Sequence, residues 1–251
     1  MEESPILDHF SLNTVPIWNC KFSLHQGEFD FPTNPVINES MNRNLPDERM
    51  VFVDLETAGL DPWRPIIQIA AIAVDSNLKE LERFEAKLKF SNKFADPKSL
   101  RKASYSSDLW KREAQPSIQV LKQFSELLRR HATVDQLSSK GVTFSVSQLV
   151  AHNGAFDGGF LRAWYNRFDE FLPASPRVFC TLQRALWLFQ EDKSLTPPPD
   201  FALRTLCHYF RVSLKAGEAH EALNDVRATV DLYRAISEHR QNVRQPLVAC
   251  G

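Results

Sequence analysis

Residues 50–56 read MVFVDLE, an apolar run that ends in two acids, Asp54 and Glu56. The run predicts a strand. IIQIAAIAVD (66–75) is mostly apolar and predicts a second, buried strand. ERFEAKLKF (82–90) alternates Phe84, Ala86, Leu88 and Phe90 with charged residues, the pattern of a half-exposed strand. The short links suggest an antiparallel meander. Over 117–131, Ile118, Leu121, Phe124, Leu127 and Leu128 recur at helical spacing behind Pro116 and predict a helix. SQLVAHN (147–153) and SPRVFCT (175–181) predict short strands, with a helix in FDGGFLRAWYNRF (156–168) between them. LQRALWLFQ (182–190), ALRTLCHYF (202–210) and HEALNDVRATVDLYRAISEHR (220–240) read as helices, and SLTPPPD (194–200) as a stiff loop. Strands followed by alternating helices and strands imply an α/β fold: a mixed β-sheet flanked by helices.

Residues 1–48 break this pattern. They hold Pro5, Pro16, Pro32, Pro35 and Pro46, many Asn and Ser, and no helical period. Within them, Trp18, Cys20, Phe22 and Leu24 fall on alternate positions and predict a short strand. The expected organisation is an irregular N-terminal extension (1–48), one domain (49–240) and a patternless tail (241–251). Hydrophobic content of 43% and charged content of 24% are ordinary for a soluble domain. Net charge is −1, so no global field argues for a polyanion, yet residues 1–49 carry −5 and residues 50–251 carry +4. The four cysteines are scattered without a CxxC pair, which excludes the usual zinc and redox spacings. The start lacks a secretory pattern, so reduced thiols and a cytoplasmic setting are expected. No run of about 18 apolar residues predicts a membrane span.

Three places carry candidate chemistry. A strand's period of two puts Asp54 and Glu56 on one face, where like charges repel and burial makes matters worse. A hard divalent cation would relieve them. The ordinary alternative is that the strand has already ended and both acids are solvated, because about one Asp-x-Glu arises by chance in such a chain. LVAHNGAFDGGF (149–160) ends a second strand in polar residues and places Asp157 in a first helical turn, where an acid is often only a partner for the helix dipole. HEALNDVRAT (220–229) spaces His220 and Asp225 by five, more often a surface contact than a site when met alone.

The conjunction of the three is specific. DLETAGL (54–60), HNGAFDGGFL (152–161) and HEALNDVRAT (220–229), in this order, resemble the motifs of the DEDD superfamily of 3′→5′ exonucleases, in its His-containing, DnaQ/RNase T-like branch. Ala58, where Thr is usual, is a mild departure. The resemblance covers roughly residues 50–236. It implies an RNase H-like exonuclease fold. It also implies two divalent metal ions, Mg²⁺ or Mn²⁺, held by Asp54, Glu56, Asp157 and Asp225. In such a site one ion helps generate hydroxide and the other stabilises the leaving 3′ oxygen. His220 matches the general base, whose ordinary pKa of about 6.5 suits that task.

The implied activity is release of nucleoside 5′-monophosphates from nucleic acid 3′ ends. Single-stranded DNA is the favoured substrate, RNA 3′-end trimming the alternative enzyme reading, and a non-catalytic domain binding nucleic acid or a polymerase the reading from another class. Intact acids and His220 weigh against the last. Thr57, Ala58, Gly59 and Leu60 match positions that meet the terminal 3′-OH and last base, and Asn153 and Phe156 match positions near the terminal nucleotides. Plain packing explains Phe156 equally well. Arg101, Lys102, Lys111 and Arg112 are basic candidates for phosphate contact. Residues 1–48, with Trp18, Phe22, Phe29 and Phe31, are a candidate protein-partner segment. QRALWLF (183–189) has the Gln-x-x-Leu-x-Leu-Phe form of a sliding-clamp peptide, but helical spacing predicts that Leu186 and Phe189 are buried in the core.

Overall fold

β1 (Met50–Thr57), β2 (Ile66–Val74) and β3 (Glu80–Lys87) pair as an antiparallel meander, Asp54 standing opposite Ala70 and Glu56 opposite Gln68. This computed structural model describes residues 48–214 and 222–244. The expected strand near Trp18, the remainder of the extension and His220 lie outside the described residues. After the meander come two short helices, α1 (Pro97–Lys102) and α2 (Ser107–Glu113), then the expected amphipathic helix α3 (Ser117–Arg130). β4 (Val134–Leu137) and β5 (Thr143–Val146) form a separate hairpin. β6 (Gln148–Ala151) joins the main sheet parallel to β1. α4 (Gly154–Arg167) returns to β7 (Phe179–Cys180), parallel to β6. α5 (Thr181–Glu191), α6 (Leu203–Tyr209) and α7 (Ala222–Arg244) follow and complete the described elements. The sheet order is β3–β2–β1–β6–β7, so the acid-bearing strand is central.

The strand period divides β1 between two cores. Val51, Val53 and Leu55 pack with Leu121, Phe124, Leu128, Phe160 and Trp164 of α3 and α4. Phe52 points the other way, where Ala222, Val226 and Val230 of α7 cover Phe52, Ala70, Ile72 and Val150. Another stripe of the same helix, Ala228, Leu232 and Ile236, packs on Ala185, Leu188 and Phe189 of α5 and on Leu206 and Cys207 of α6. α7 is thus a wedge between the sheet and the α5–α6 layer.

The pattern-based expectation holds for the meander, α3 and the alternation that follows. α4 begins at Gly154, two residues before the apolar pattern. Asn153 ahead of it adopts the left-handed region at φ 65°. Gly154 is required there: a Cβ would lie 2.8 Å from Val178 Cγ1 and 3.3 Å from the Phe179 carbonyl oxygen. In α5, Phe189 is buried, as expected, and so is Leu188, so QRALWLF is not a free peptide. Leu186 departs from expectation and is exposed, because the face carrying Ala185, Leu188 and Phe189 is the one that meets α6 and α7.

Candidate active site

Continuing the face of Phe52 along β1 by steps of two gives Asp54 and Glu56. α7 covers Phe52, and on the same helix Asp225 immediately precedes Val226. The helix therefore brings a third acid to the two on the strand. Carboxylate oxygens of Asp54, Glu56 and Asp225 lie within 4.8 Å of one another. All three side chains are half-buried.

Asp157 enters from the first turn of α4 and is 3% exposed. Its carboxylate accepts hydrogen bonds from its own backbone N–H and from that of Leu55, which favour the charged form. Burial outweighs them, and the Asp54 charge adds to it, so its pKa stands well above the ordinary carboxylate range. Burial, then Asp225, pushes Asp54 up to about 7, against a smaller downward pull from Lys102. Burial, then Asp54 and Asp225, pushes Glu56 up to about 8, again opposed by Lys102. Mutual repulsion at this spacing is the electrostatic mark of a cation site: all-oxygen donors, converging, each costly to ionise alone. The donor set fits a hard divalent ion.

The acids stand in a cleft of about 610 Å³. Thr57, Leu60, Asn153 and Phe156 line it, as does Asp157. Leu60 is 77% exposed and Asn153 is also exposed, whereas Phe156 is half-buried against Phe160, with ring centroids 4.7 Å apart. Phe156 thus both packs and faces the cleft. Ala58 and Gly59 lie behind the wall. Ala58 is fully buried, its N–H bonded to the Pro65 carbonyl at 2.8 Å and its carbonyl accepting the Asp96 N–H at 2.7 Å. Thr57 Oγ1 donates to the Gly59 carbonyl at 2.6 Å. The close approach that requires Gly59 is to Arg64, whose Cγ would be 2.6 Å from a Cβ there.

Lys102 and Ser99 of α1 also line the cleft, with Arg204, Arg227 and His152. Lys102 was legible as one basic candidate among several. His152 opens the second motif, and Arg227 lies in the third, so both were within reach of the sequence. Arg204 lies outside every motif and has no such signal. The described part of the third motif, Ala222–Thr229, forms the start of α7, where Thr229 Oγ1 donates to the Asp225 carbonyl at 2.8 Å.

Comparison with known proteins agrees with this geometry. A family model described as Exonuclease (RNase_T) matches residues 51–233. DNA polymerase III PolC-type of Bacillus subtilis is 29% identical over 204 residues, covering 79% of this chain and 12% of that protein. A solved exonuclease I structure superposes with a TM-score of 0.62 at 18% identity, covering 78% of this chain and 42% of that one. Escherichia coli exonuclease I in a zinc-bound complex with single-stranded DNA superposes with a TM-score of 0.61 at 18% identity, with the same coverage of both chains. This chain therefore spans less than half the length of these relatives and shares the exonuclease I fold.

Proposed function

The chain belongs to the RNase T exonuclease family, and from that premise we propose that it is a metal-dependent 3′→5′ exonuclease acting on single-stranded DNA. The observation that carries the reading is the meeting of Asp54, Glu56 and Asp225 within 4.8 Å in an open cleft, with buried Asp157 close enough to raise its own pKa against Asp54. Asp54, Glu56, Asp157 and Asp225 would hold divalent ions, Mg²⁺ or Mn²⁺. Bound there, such ions supply a lowered water pKa and neutralise charge on the scissile phosphate. His220 takes the proton of the attacking water, for which a neutral imidazole is suited near pH 7. Lys102 faces the same cleft and adds positive charge toward a phosphate. Leu60, exposed on the cleft wall, offers an apolar surface for the terminal base, with Thr57, Asn153 and Phe156 around it.

The substrate class is supported by the single-stranded DNA held by E. coli exonuclease I, whose fold this chain shares. Residues 1–48, which lie outside all three motifs, are the segment we propose for docking a protein partner. Among the described residues Cys180 and Cys207 are free thiols, in keeping with the cytoplasmic, reducing setting proposed for the chain. Among the described residues no helix is long and apolar enough to cross a membrane. The deciding experiment resolves by length the products of end-labelled single- and double-stranded DNA and RNA in Mg²⁺, Mn²⁺ or EDTA. A ladder shortening from the 3′ end of single-stranded DNA, lost in EDTA, is expected. Metal-independent cutting, internal cutting, or no cutting would overturn the reading.

A further inference from the structure

The turn after β1 holds an aromatic ring out in solvent. Arg64 N–H donates to the Asp61 carbonyl at 2.8 Å and closes a four-residue turn with Pro62 second and Trp63 third. Pro in that place presets the backbone. Trp63 is 57% exposed. A Trp is usually turned largely inward, and here its surroundings fix it outward. Arg167 of α4 donates to the carbonyls of Pro62 and Arg64 at 3.2 and 3.3 Å. The Arg64 stem lies against Gly59, its guanidinium sits 4.1 Å from the centroid of Trp63, and it donates to the Phe94 carbonyl at 2.8 Å. Phe94 is itself 48% exposed. With the bond from Asp96 N–H to the Ala58 carbonyl, the turn and segment 92–96 form one braced rim. That rim continues through Leu60 on one side, and through Ser99 and Lys102 on the other, into the cleft wall.

Its charge is one-sided. Arg64, Lys93, Lys98, Arg101 and Lys102 face two acids, Asp61 and Asp96, and Asp96 caps α1 through the N–H groups of Lys98 and Ser99. Among the described ion pairs none engages Lys93, Lys98, Arg101 or Lys102.

We propose that this rim is a track for the nucleotides that precede the terminal one in a single strand, with Trp63 as a stacking platform for a base. The inference rests on the reading of the cleft as a strand-end site. An exposed, braced aromatic beside a cluster of surface cations is the combination that binds single strands without regard to sequence: every base has a face to stack, and the cations follow the phosphates. A paired duplex end keeps its bases stacked on one another and offers none to the ring. The three backbone steps from Leu60 to Trp63 span at most about 11 Å, so the platform serves nucleotides a short way inside the end.

The test is the affinity of the full chain for 5′-labelled oligothymidylates and oligouridylates of about two, four and eight nucleotides, short of and beyond the span of the rim. Anisotropy is read in calcium chloride, with strand integrity checked on a gel. Trp63→Ala is expected to weaken the longest strand about 10- to 100-fold, the usual worth of one stacked base, and the dinucleotide less than about twofold. Trp63→Phe should recover most of the loss. Unchanged affinity of Trp63→Ala for the longest strand, or an equal loss at every length, overturns the inference alone. Wild-type protein that binds no strand of any length overturns the functional reading and the inference with it.

Discussion

The imidazole of His152 and the carbonyl of Phe201 lie 49 residues apart in the chain and 3.1 Å apart in space, joined through Nε2. A carbonyl only accepts, so Nε2 carries the proton and Nδ1 accepts from the Thr181 hydroxyl at 2.9 Å. Burial holds the ring's pKa below its ordinary value, in keeping with a neutral imidazole, though the bond to Phe201 opposes this. One side chain thus ties the end of β6 to the start of α5 and to the loop ahead of α6, along one wall of the cleft.

His152→Ala removes both bonds and strands the Phe201 carbonyl. The expected cost is about 1–3 kcal/mol, the usual penalty for orphaned polar groups. Urea unfolding of the two proteins measures it, and an unchanged midpoint would show that the tie carries no load.

Asp54→Asn removes one charge from a crowded set. Cleavage should fall to background, while the melting temperature without metal should rise, because repulsion with Asp225, Glu56 and Asp157 is relieved. Turnover and melting are read on the same preparation. Retained turnover contradicts the assignment of this acid.

The raised carboxyl values set a pH dependence of stability. In an unfolded chain these acids titrate near pH 4, whereas in the fold Asp54 and Glu56 titrate at about 7 and 8. Between those limits the folded chain holds protons that the unfolded chain has lost, so stability is full below about pH 4, falls as pH rises, and levels above about pH 8. A divalent ion binds the deprotonated acids, so Mg²⁺ should raise the melting temperature more at pH 8 than at pH 5. Calorimetry at both values, with and without Mg²⁺, gives the comparison; equal shifts would contradict it.

His220→Ala should keep nucleotide affinity and slow cleavage by roughly 10²–10⁴, the worth of a positioned base. Single-turnover rates of the parent should rise across the imidazole titration, and the variant should lack that limb. Wild-type rates in the variant make His220 a bystander, and loss of metal affinity makes it a ligand.

Gly154→Ala places a Cβ 2.8 Å from Val178 Cγ1. α4 must then shift from β7, and Asp157 rides on the same first turn. Lower stability by about 1–3 kcal/mol is expected, with weaker activity. Adding Val178→Ala opens space and should restore part of both, which thermal melts and cleavage rates together reveal.

Elements with a strong period were legible from the order of apolar positions alone. The meander, α3 and α7 bury broad apolar faces, so their patterns are long and regular. α1 and α2 are too short to show a period; capping at Asp96 and Ser106 marks them instead. The β4–β5 hairpin is short, half polar and mostly exposed, and Gly141 at φ 75° in its turn was the one local cue. At the candidate site, motif order singled out Asp54, Glu56, Asp157 and Asp225, and the fold brings these acids near one another. It could not separate Leu60, on the cleft wall, from Ala58 and Gly59 behind it, because burial of neighbouring backbone depends on Pro65, Asp96 and Arg64, which lie outside the motif. Nor could it select Lys102 from the other surface cations, since its proximity to Asp54 and Glu56 is tertiary.

The wedge position of α7 also orders events during synthesis. The strand with Asp54 and Glu56 leaves the ribosome well before the helix with Asp225. Contact between them closes a loop of most of the domain, the slow kind of contact to form. Before that closure, Phe52, Ala70 and Ile72 lack the apolar cover of Ala222, Val226 and Val230, and the acid set lacks a member. A nascent chain, or one clipped ahead of α7, therefore cannot bring Asp225 to Asp54 and Glu56. The step that seals the core is the same step that brings the three acids together, so burial of Phe52 and assembly of the acidic cluster are one event.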